Sequence, residues 1–135
     1  KGGDSSTYGS LLPAIRFSET QRIAQTRVLR THIDQLENDH PEASIVVLGD
    51  MNDFEFSSAI QNLTGNTGLI NLINTVPLAD RYTYIFQGFS QVLDHILASP
   101  ELAGKLSTRV VHVNADLSAG LRASDHDPIL AWFDK

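Results

Sequence analysis

IVVLGDMN, at residues 45–52, is an apolar run that leads directly into a carboxylate and an amide. Ile45–Leu48 is continuously apolar and β-branched at three of its four positions, which predicts a strand with both faces buried. Asp50 and Asn52 follow where that strand is expected to reach water. Side chains two apart on extended backbone point the same way, so these two are expected to converge on one water molecule or phosphate. The alternative is a turn in which they bond their own backbone.

The segments on either side of this strand predict a mixture of helices and strands. Ser18 and Gln21 resemble a capping box, and apolar residues at three- and four-residue spacing then predict one amphipathic helix that ends at His40-Pro41. The downstream predictions are a short helix over 57–63, strands over 82–86 and 91–99 joined by a hairpin loop at 87–90, one or two helical turns over 100–106, and strands over 109–113 and 129–133.

The composition narrows the classes of function. The chain has 135 residues, of which 41% are hydrophobic, and this is enough for one core, so residues 1–135 are treated as a single unit. A formal charge of -6 argues against nucleic-acid binding by bulk positive charge. The absence of cysteine excludes disulfides and thiolate metal sites, and no apolar run has the length of a membrane span.

Asp94 lies within an apolar stretch, VLDHIL at residues 92–97. Alternation places its carboxylate on the same face as Val92 and Ile96, where a charge is costly unless it is paired. We therefore predict that Asp94 bonds His126, since an acid that fixes the orientation of an imidazole is a recurrent arrangement. His95 points to the other face and is expected to be a satisfied or a surface histidine.

SDHDP, at residues 124–128, places two acids and a histidine before the last apolar strand. Neighbouring residues on extended backbone alternate in direction, so Asp125 and His126 are expected to serve different partners, one a metal and the other a phosphate. Oxygen ligands such as Asp125 suit Mg²⁺ or Mn²⁺. The alternative is a capped, charged turn before an edge strand.

The motifs GDMND, VLDHILAS and SDHDPI, in this order, resemble those of the endonuclease/exonuclease/phosphatase superfamily, which is deoxyribonuclease I-like. The stretches 82–100, 113–116 and 122–126 are most similar to bacterial extracellular nucleases. This resemblance implies an α+β fold, namely half of a four-layer α/β/β/α sandwich, with one mainly antiparallel sheet covered by helix on one face. It also implies a secreted or periplasmic bacterial location, with the cytoplasm as an alternative.

The resemblance implies roles only for the positions that match. Asp50 would orient or deprotonate the attacking water, with His126 as the alternative base, and Asn52 would hold the scissile phosphate. His126 would contact that phosphate and Asp94 would orient it. Asp125 would bind a divalent metal, Mg²⁺ in the first instance, with Mn²⁺ or Ca²⁺ as alternatives. Arg122 and Arg81 are candidates for contacts with substrate phosphates, against a solvated surface role for each.

The family's N-terminal half supplies an Asn, a metal-binding Glu and an N-H-x-K-S-type motif that are not found here. Lys1–Asp4 resembles the residues that follow that motif, so the chain is expected to cover the C-terminal portion of the domain. Its metal site would then be incomplete, and one sheet face would be left apolar and exposed. We expect that face to pair with the missing half or with a second copy of the chain.

Three functions remain open on the sequence. The first is a metal-dependent nuclease that cleaves DNA or RNA by activated-water attack. The second is a phosphatase or a phospholipid phosphodiesterase on the same scaffold, since loops and not the shared motifs select the substrate. The third is a non-catalytic fragment. Aromatic residues at 82, 84, 86 and 89 suit base stacking or lipid contact and do not separate the first two.

Overall fold

The computed structural model describes residues 17–65 and 68–133. Lys1–Asp4 therefore lies outside the described residues. In chain order the elements are α1 (Glu19–Asp39), β1 (Val46–Asp50), α2 (Ser58–Thr64), β2 (Ile70–Asn71), 3₁₀ helices at Leu72–Thr75 and Leu78–Asp80, β3 (Tyr84–Phe86), β4 (Phe89–Gln91), β5 (Asp94–Ala98), α3 (Pro100–Ala103), β6 (Leu106–Val110) and β7 (Ile129–Phe133).

Helix α1 forms because one of its stripes can be buried against the sheet. Ile33 is 1% exposed and packs in a cluster with Ile45, Leu63, Leu69 and Leu97. The helix ends as predicted, with the amide of His40 donating to the carbonyl of Leu36 at 2.8 Å. The predicted capping box is wrong, because the N-cap Ser18 is itself in a helical conformation and its side chain makes no cap hydrogen bond.

The central sheet has the strand order β1-β5-β2, and both pairings are antiparallel. The inner face of this sheet, which includes Ile45 and Leu97, packs on α1 and α2. Val46 and Leu48 point to the other face and are 44% and 68% exposed. The prediction that Ile45–Leu48 is buried on both faces is therefore wrong for the described residues, because only one face carries a helical cover.

The remaining strands form two antiparallel pairs, β3 with β4 and β6 with β7. The β3–β4 hairpin turns on two residues, Gln87 at φ 51° and Gly88 at φ 82°, so Phe89 and Ser90 belong to a strand and not to the predicted four-residue loop. A left-handed pair of residues is what a two-residue hairpin requires, and glycine adopts that conformation without strain.

Other predicted strands also need correction. The predicted strand at 91–99 is divided, since Gln91 pairs in β4 and β5 begins only at Asp94. β6 begins three residues before the predicted 109–113 strand and ends at Val110, where its pairing with Ile129 closes the ladder. β7 has the predicted bounds but is not buried, since Leu130, Trp132 and Phe133 are 45%, 40% and 64% exposed. The α+β class itself is confirmed, and its strands divide into three small antiparallel sheets among the described residues.

An apolar groove of about 600 Å³ lies on the uncovered side of the central sheet. We call this surface the apolar face, and its apolar lining includes Val46, Leu48, Ile96, Leu106, Ile129 and Phe133. A surface of this kind on a small domain marks a contact site more often than a free surface. In the described part of the chain, no helix combines the length and apolarity needed to cross a membrane.

We predict that this chain self-associates through the apolar face. Leu48→Asp should weaken the association at least about tenfold, because an unpaired carboxylate is costly to bury in an apolar contact. Sedimentation velocity over a concentration series measures the effect. Val28→Asp is the matched control, since Val28 is 73% exposed on α1. A wild-type chain that stays monomeric at every concentration would contradict the prediction.

Candidate functional site

The pairing of β1 with β5 places two carboxylates side by side. Asp50 ends β1 and Asp94 begins β5, and the register makes them direct cross-strand partners. Asp50 is exposed and Asp94 is half-buried. Two strand ends thus bring two acids, 44 positions apart in the sequence (94 minus 50), to one edge of the sheet.

Asn52 reaches the same edge, though not by extended backbone. Its φ is 50°, in the left-handed region. Its backbone amide donates to Asp50 Oδ1 at 2.8 Å, and its Nδ2 donates to Asp50 Oδ2 at 3.0 Å. Asp50 and Asn52 therefore lie side by side, but the prediction of extended backbone is wrong. The structure has the alternative, a turn in which the Asp50 carboxylate bonds the backbone amide of Asn52.

His126 is held against Asp94 as predicted. The Nδ1 of His126 lies 2.6 Å from Asp94 Oδ2. Because a carboxylate accepts, Nδ1 donates, and in the neutral ring this leaves the lone pair on Nε2. The Tyr84 ring packs beside the imidazole with 4.7 Å between ring centroids. His126 is thus oriented by one hydrogen bond and one ring contact.

Asp50, Asp94 and His126 form a cluster in which one candidate ligand atom from each residue lies within 4.8 Å of the others. We call these three residues the strand-end cluster. Carboxylate oxygens are the ligands that Mg²⁺, Mn²⁺ and Ca²⁺ prefer, so this donor set suits a hard divalent cation. The described residues therefore include acidic and histidine groups able to bind a metal ion.

Thr83 is hydrogen-bonded to both of the segments that carry Asp94 and His126. Its buried hydroxyl accepts from the amides of Leu93 and Asp94 at 3.1 and 3.3 Å, and its carbonyl accepts from the amide of Asp127 at 2.8 Å. One residue thus positions the start of β5 and the segment that carries His126. Thr83 was not predicted as a site residue, because a threonine near a predicted strand carries no distinctive signal.

Asn114 and Ser124 hold the backbone of His126. The Nδ2 of Asn114 donates to the His126 carbonyl at 2.8 Å, and the His126 amide donates to Ser124 Oγ at 3.1 Å. The Oδ1 of Asn114 also accepts from the amide of Ala123 at 3.2 Å. Both ends of the segment 123–126 are therefore fixed by side chains that the motif SDHDP does not by itself reveal.

Asp127 is a buried carboxylate that organises the same segment. Its Oδ1 accepts from the amides of Val113, Asn114 and Ala115 at 2.7–3.0 Å, and its Oδ2 accepts from His112 Nδ1 at 2.9 Å. Burial acts to raise the pKa of Asp127, but these hydrogen bonds outweigh it and hold the pKa below its usual range. The carboxylate therefore stays ionised and fully bonded.

A second group, His112, Asp116 and Asp127, also has ligand atoms within 4.8 Å of one another. Both of its carboxylates already accept hydrogen bonds from the protein. Asp127 is bonded as described above, and Asp116 Oδ2 accepts from the Tyr82 hydroxyl at 2.7 Å. This bond to Asp116, with a smaller effect of burial, raises the pKa of Tyr82 to about 12. Tyr82 also stacks on His112 with 4.2 Å between ring centroids, so this group is a structural network.

The other predicted site residues are not part of the strand-end cluster. Asp125 is exposed, and Arg122 is half-buried. Arg81 donates from Nε and one Nη to the carbonyls of Asn74 and Val76 at 2.9–3.2 Å, which closes the end of the 3₁₀ helix at 72–75. In the described part of the chain neither arginine contacts the cluster.

His95 is buried on the opposite face from Asp94, with 1% of its surface exposed. The prediction of a satisfied histidine is confirmed, because both of its ring nitrogens have partners, Asn71 and the carbonyl of Asp53. Burial is the main cause that lowers the pKa of His95, and the contact with the Asp53 carbonyl partly opposes it. The ring is therefore neutral at pH 7.

An α+β fold that gathers carboxylate, amide and imidazole groups at its strand ends defines a candidate site for phosphoester hydrolysis. A sequence profile of the Endonuclease/Exonuclease/phosphatase family matches residues 4–126, and the chain belongs to that family. Members of this family are hydrolases that act on phosphoester bonds. No protein of curated function matches the sequence.

Solved structures of the same family share the fold. The 3′-5′ exonuclease NExo from Neisseria meningitidis is 25% identical with a TM-score of 0.61, and the match covers 88% of this chain and 54% of that one. A Bacteroides vulgatus member of the family is 23% identical with a TM-score of 0.61, covering 84% and 43%. A structure of the Neisseria 3′ phosphatase NExo, bound to a product DNA hairpin, is 23% identical with a TM-score of 0.60, covering 88% and 54%. This chain spans about half the length of these structures.

We predict that Asp127 gives the fold a pH-dependent increment of stability. The folded-state pKa lies below the unfolded value of about 3.9, so the increment is fully present above that value and is lost as the pH falls through the folded pKa. Asp127→Asn should lower the free energy of unfolding by about 1–3 kcal/mol at pH 7, since an amide replaces a hydrogen-bonded charge. Urea unfolding at a series of pH values measures the free energy of unfolding of the wild type and of Asp127→Asn.

The difference between wild type and Asp127→Asn should shrink below about pH 4 as the wild-type carboxyl becomes protonated. Asp125→Asn is the matched control, because its side chain is exposed and its substitution should change stability by less than about 0.5 kcal/mol. A difference for Asp127→Asn that does not change with pH would contradict the prediction.

Proposed function

We propose that this chain carries the phosphate-handling part of a metal-dependent phosphodiester hydrolase that acts on nucleic acid. The hydrogen-bonded pair Asp94–His126, 2.6 Å apart and beside Asp50, is the observation that supports this most. Buried structural histidines satisfy both nitrogens within the protein, as His95 does. His126 instead has Nδ1 bonded to Asp94, and among residues 17–65 and 68–133 its Nε2 has no hydrogen-bond partner.

In this proposal His126 contacts the scissile phosphate through Nε2. Asp94 is its positioning residue, because the hydrogen bond to Nδ1 fixes the orientation of the ring. General acid–base and charge-stabilising groups of this type contribute about 100-fold to 10,000-fold in rate. Tyr84 and Thr83 limit the movement of the pair.

Asp50 and Asn52 are the second half of the proposed site. Asp50 is assigned to orienting or deprotonating the attacking water, with His126 as the alternative base. One Nδ2 hydrogen of Asn52 is used by Asp50, and the amide carries a second hydrogen that is available to a phosphate oxygen. The turn that places Asn52 beside Asp50 thus supports both roles.

A divalent cation would supply positive charge to the phosphate during hydrolysis. Asp125 is the residue proposed to hold it, because its carboxylate is exposed and directly precedes His126. Mg²⁺ is the ion proposed first, with Mn²⁺ and Ca²⁺ as alternatives. A cation is also consistent with the formal charge of -6, which by itself repels a polyanion.

Nucleic acid is the proposed substrate class because two similar structures are described as a 3′-5′ exonuclease and as a 3′ phosphatase bound to a DNA product. The β3–β4 hairpin adds a surface suited to bases, since Phe86 and Phe89 are 40% and 45% exposed and Tyr84 touches His126. Arg122 is retained as a candidate for phosphate contact. Arg81 is a weaker candidate, because its guanidinium already binds backbone carbonyls.

We also propose that residues 1–135 form the C-terminal portion of a family domain. This is consistent with a match that covers 43–54% of the similar structures. A partner half would then pack on the apolar face and complete the metal site. The isolated chain is therefore expected to turn over slowly.

The alternative function is a phosphatase, which the description of one similar structure as a 3′ phosphatase favours. The two functions differ in the bond that is hydrolysed, an internal phosphodiester or a terminal phosphomonoester. Both reactions would use the same groups at the strand-end cluster, so substitutions in the cluster would impair either one. The two functions are therefore distinguished by comparing substrates.

The experiment measures two reactions with Mg²⁺, the nicking of supercoiled plasmid and the release of phosphate from a 3′-phosphorylated DNA oligonucleotide. His126→Ala should reduce either activity by about 100-fold or more, and a chelator should abolish it. His32→Ala is the matched control, because His32 is exposed on α1. Full activity in His126→Ala would contradict the assignment.

If the folded chain shows no measurable turnover, an NMR titration of its backbone amides with Mg²⁺ tests whether it binds the cation at the proposed site. The proposal predicts shifts of the amides at 50–52 and 124–127, which Asp125→Asn should reduce. A folded chain that neither cleaves nor shows these shifts would overturn the proposal for this chain.

A further inference from the structure

His95 makes two hydrogen bonds that link three separate segments. Its Nδ1 lies 3.0 Å from Asn71 Nδ2, and its Nε2 lies 2.9 Å from the carbonyl oxygen of Asp53. Asn71 belongs to β2, His95 to β5, and Asp53 to the turn that carries Asp50 and Asn52. The proposed chemistry uses neither of these two hydrogen bonds.

The partners of His95 determine its tautomer. A carbonyl oxygen only accepts, so Nε2 must carry the proton that is donated to Asp53. The Nδ2 of Asn71 only donates, so Nδ1 must carry the lone pair. The orientation of the Asn71 amide is supported independently, since its Oδ1 accepts from the amide of Ile73 at 3.4 Å. The ring is thus neutral and has a single orientation.

Asp53 is held from a second direction by α1. Its Oδ2 accepts from Arg22 Nε at 2.8 Å, and its Oδ1 accepts from the amide of Phe54 at 3.1 Å. Asp53 is 0% exposed and Arg22 is 8% exposed, so this is a buried ion pair. The residue that follows Asn52 is therefore fixed between the helix and the sheet.

The turn at 50–53 is therefore held at two points, by one hydrogen bond to β5 and by one to the residue that precedes β5. The amide of Met51 donates to the carbonyl of Leu93 at 2.9 Å, and the carbonyl of Asp53 accepts from His95. Between these two points Asn52 adopts φ 50°. Asparagine adopts this left-handed conformation more readily than most residues other than glycine, and the contacts on either side of Asn52 fix the backbone of Met51 and Asp53 that flank it.

We infer that His95 is a positioning residue, whose Nε2–H bond to the Asp53 carbonyl holds Asn52 in its left-handed conformation and so directs the Asn52 side chain to Asp50. The structural part of this inference depends only on the contacts described. Its effect on turnover rests on the proposed function. An apolar residue at 95 would fill the same space but would leave the Asp53 carbonyl and the Asn71 amide buried and unpaired.

Two substitutions separate positioning from packing. In His95→Gln the side-chain Nε2 extends as far as the imidazole Nε2 and still donates to Asp53. In His95→Asn the amide ends near the position of Nδ1, so it keeps Asn71 as a partner and does not reach Asp53. Both side chains are polar amides without charge, which makes each the control for the other.

The first readout is spectroscopic and needs no activity. A long-range ¹⁵N–¹H spectrum of the wild-type chain should show His95 protonated at Nε2 alone, and the opposite tautomer would overturn the inference without any variant. The backbone coupling constants and the side-chain NH₂ signals of Asn52 should match the wild type in His95→Gln. In His95→Asn they should show averaging of the left-handed conformation.

The second readout is turnover in the Mg²⁺ assay. His95→Gln should stay within about threefold of wild type, and His95→Asn should lose about tenfold or more in kcat with little change in KM. An Asn52 conformation unchanged in His95→Asn, or equal losses in the two variants, would overturn the inference. A wild-type chain that has the expected Asn52 signals but neither turns over nor shows the amide shifts with Mg²⁺ would instead count against the proposed function.

Discussion

The antiparallel pairing of β1 with β5 is the constraint on which the site depends. It places Asp50 opposite Asp94, and packing at the other end of the same ladder keeps that register in place. Leu97 is 0% exposed and packs with Ile33 and Leu63 from the two helices. A slip of one residue would turn Leu97 to the uncovered face, so the apolar core determines the spacing of the polar groups at the strand ends.

Those parts of the structure that follow from local pattern were predictable from the sequence. The three- and four-residue spacing of apolar residues locates α1, and the run before Asp50 locates β1. The pairing of Asp94 with His126 was predictable for a different reason, namely that a carboxylate among apolar residues needs a partner. The catalytic and metal-binding roles given to these residues remain proposals, as do those of Asn52, Asp125 and the two arginines.

Features that depend on contacts between distant segments were not predictable. Thr83, Asn114 and Asp127 support His126 through backbone groups, and no pattern in their own neighbourhoods indicates this. The turn at Asn52 was one of two alternatives on the sequence, because Asn in GDMND is equally compatible with extended backbone. Val46 and Leu48 are exposed because no helix covers their face of the sheet among the described residues. The apolar pattern of the strand does not indicate which face a helix will cover.

The separation of the site residues along the chain has a consequence for folding. Asp94 and His126 are 32 residues apart, and Asp50 joins them only when β1 pairs with β5. The backbone hydrogen bonds of α1 and α2 join residues close in sequence, whereas the strand-end cluster requires long loops to close, and loop closure costs entropy that the completed core must offset. A chain with both helices formed but with β1 and β5 unpaired would therefore lack the strand-end cluster.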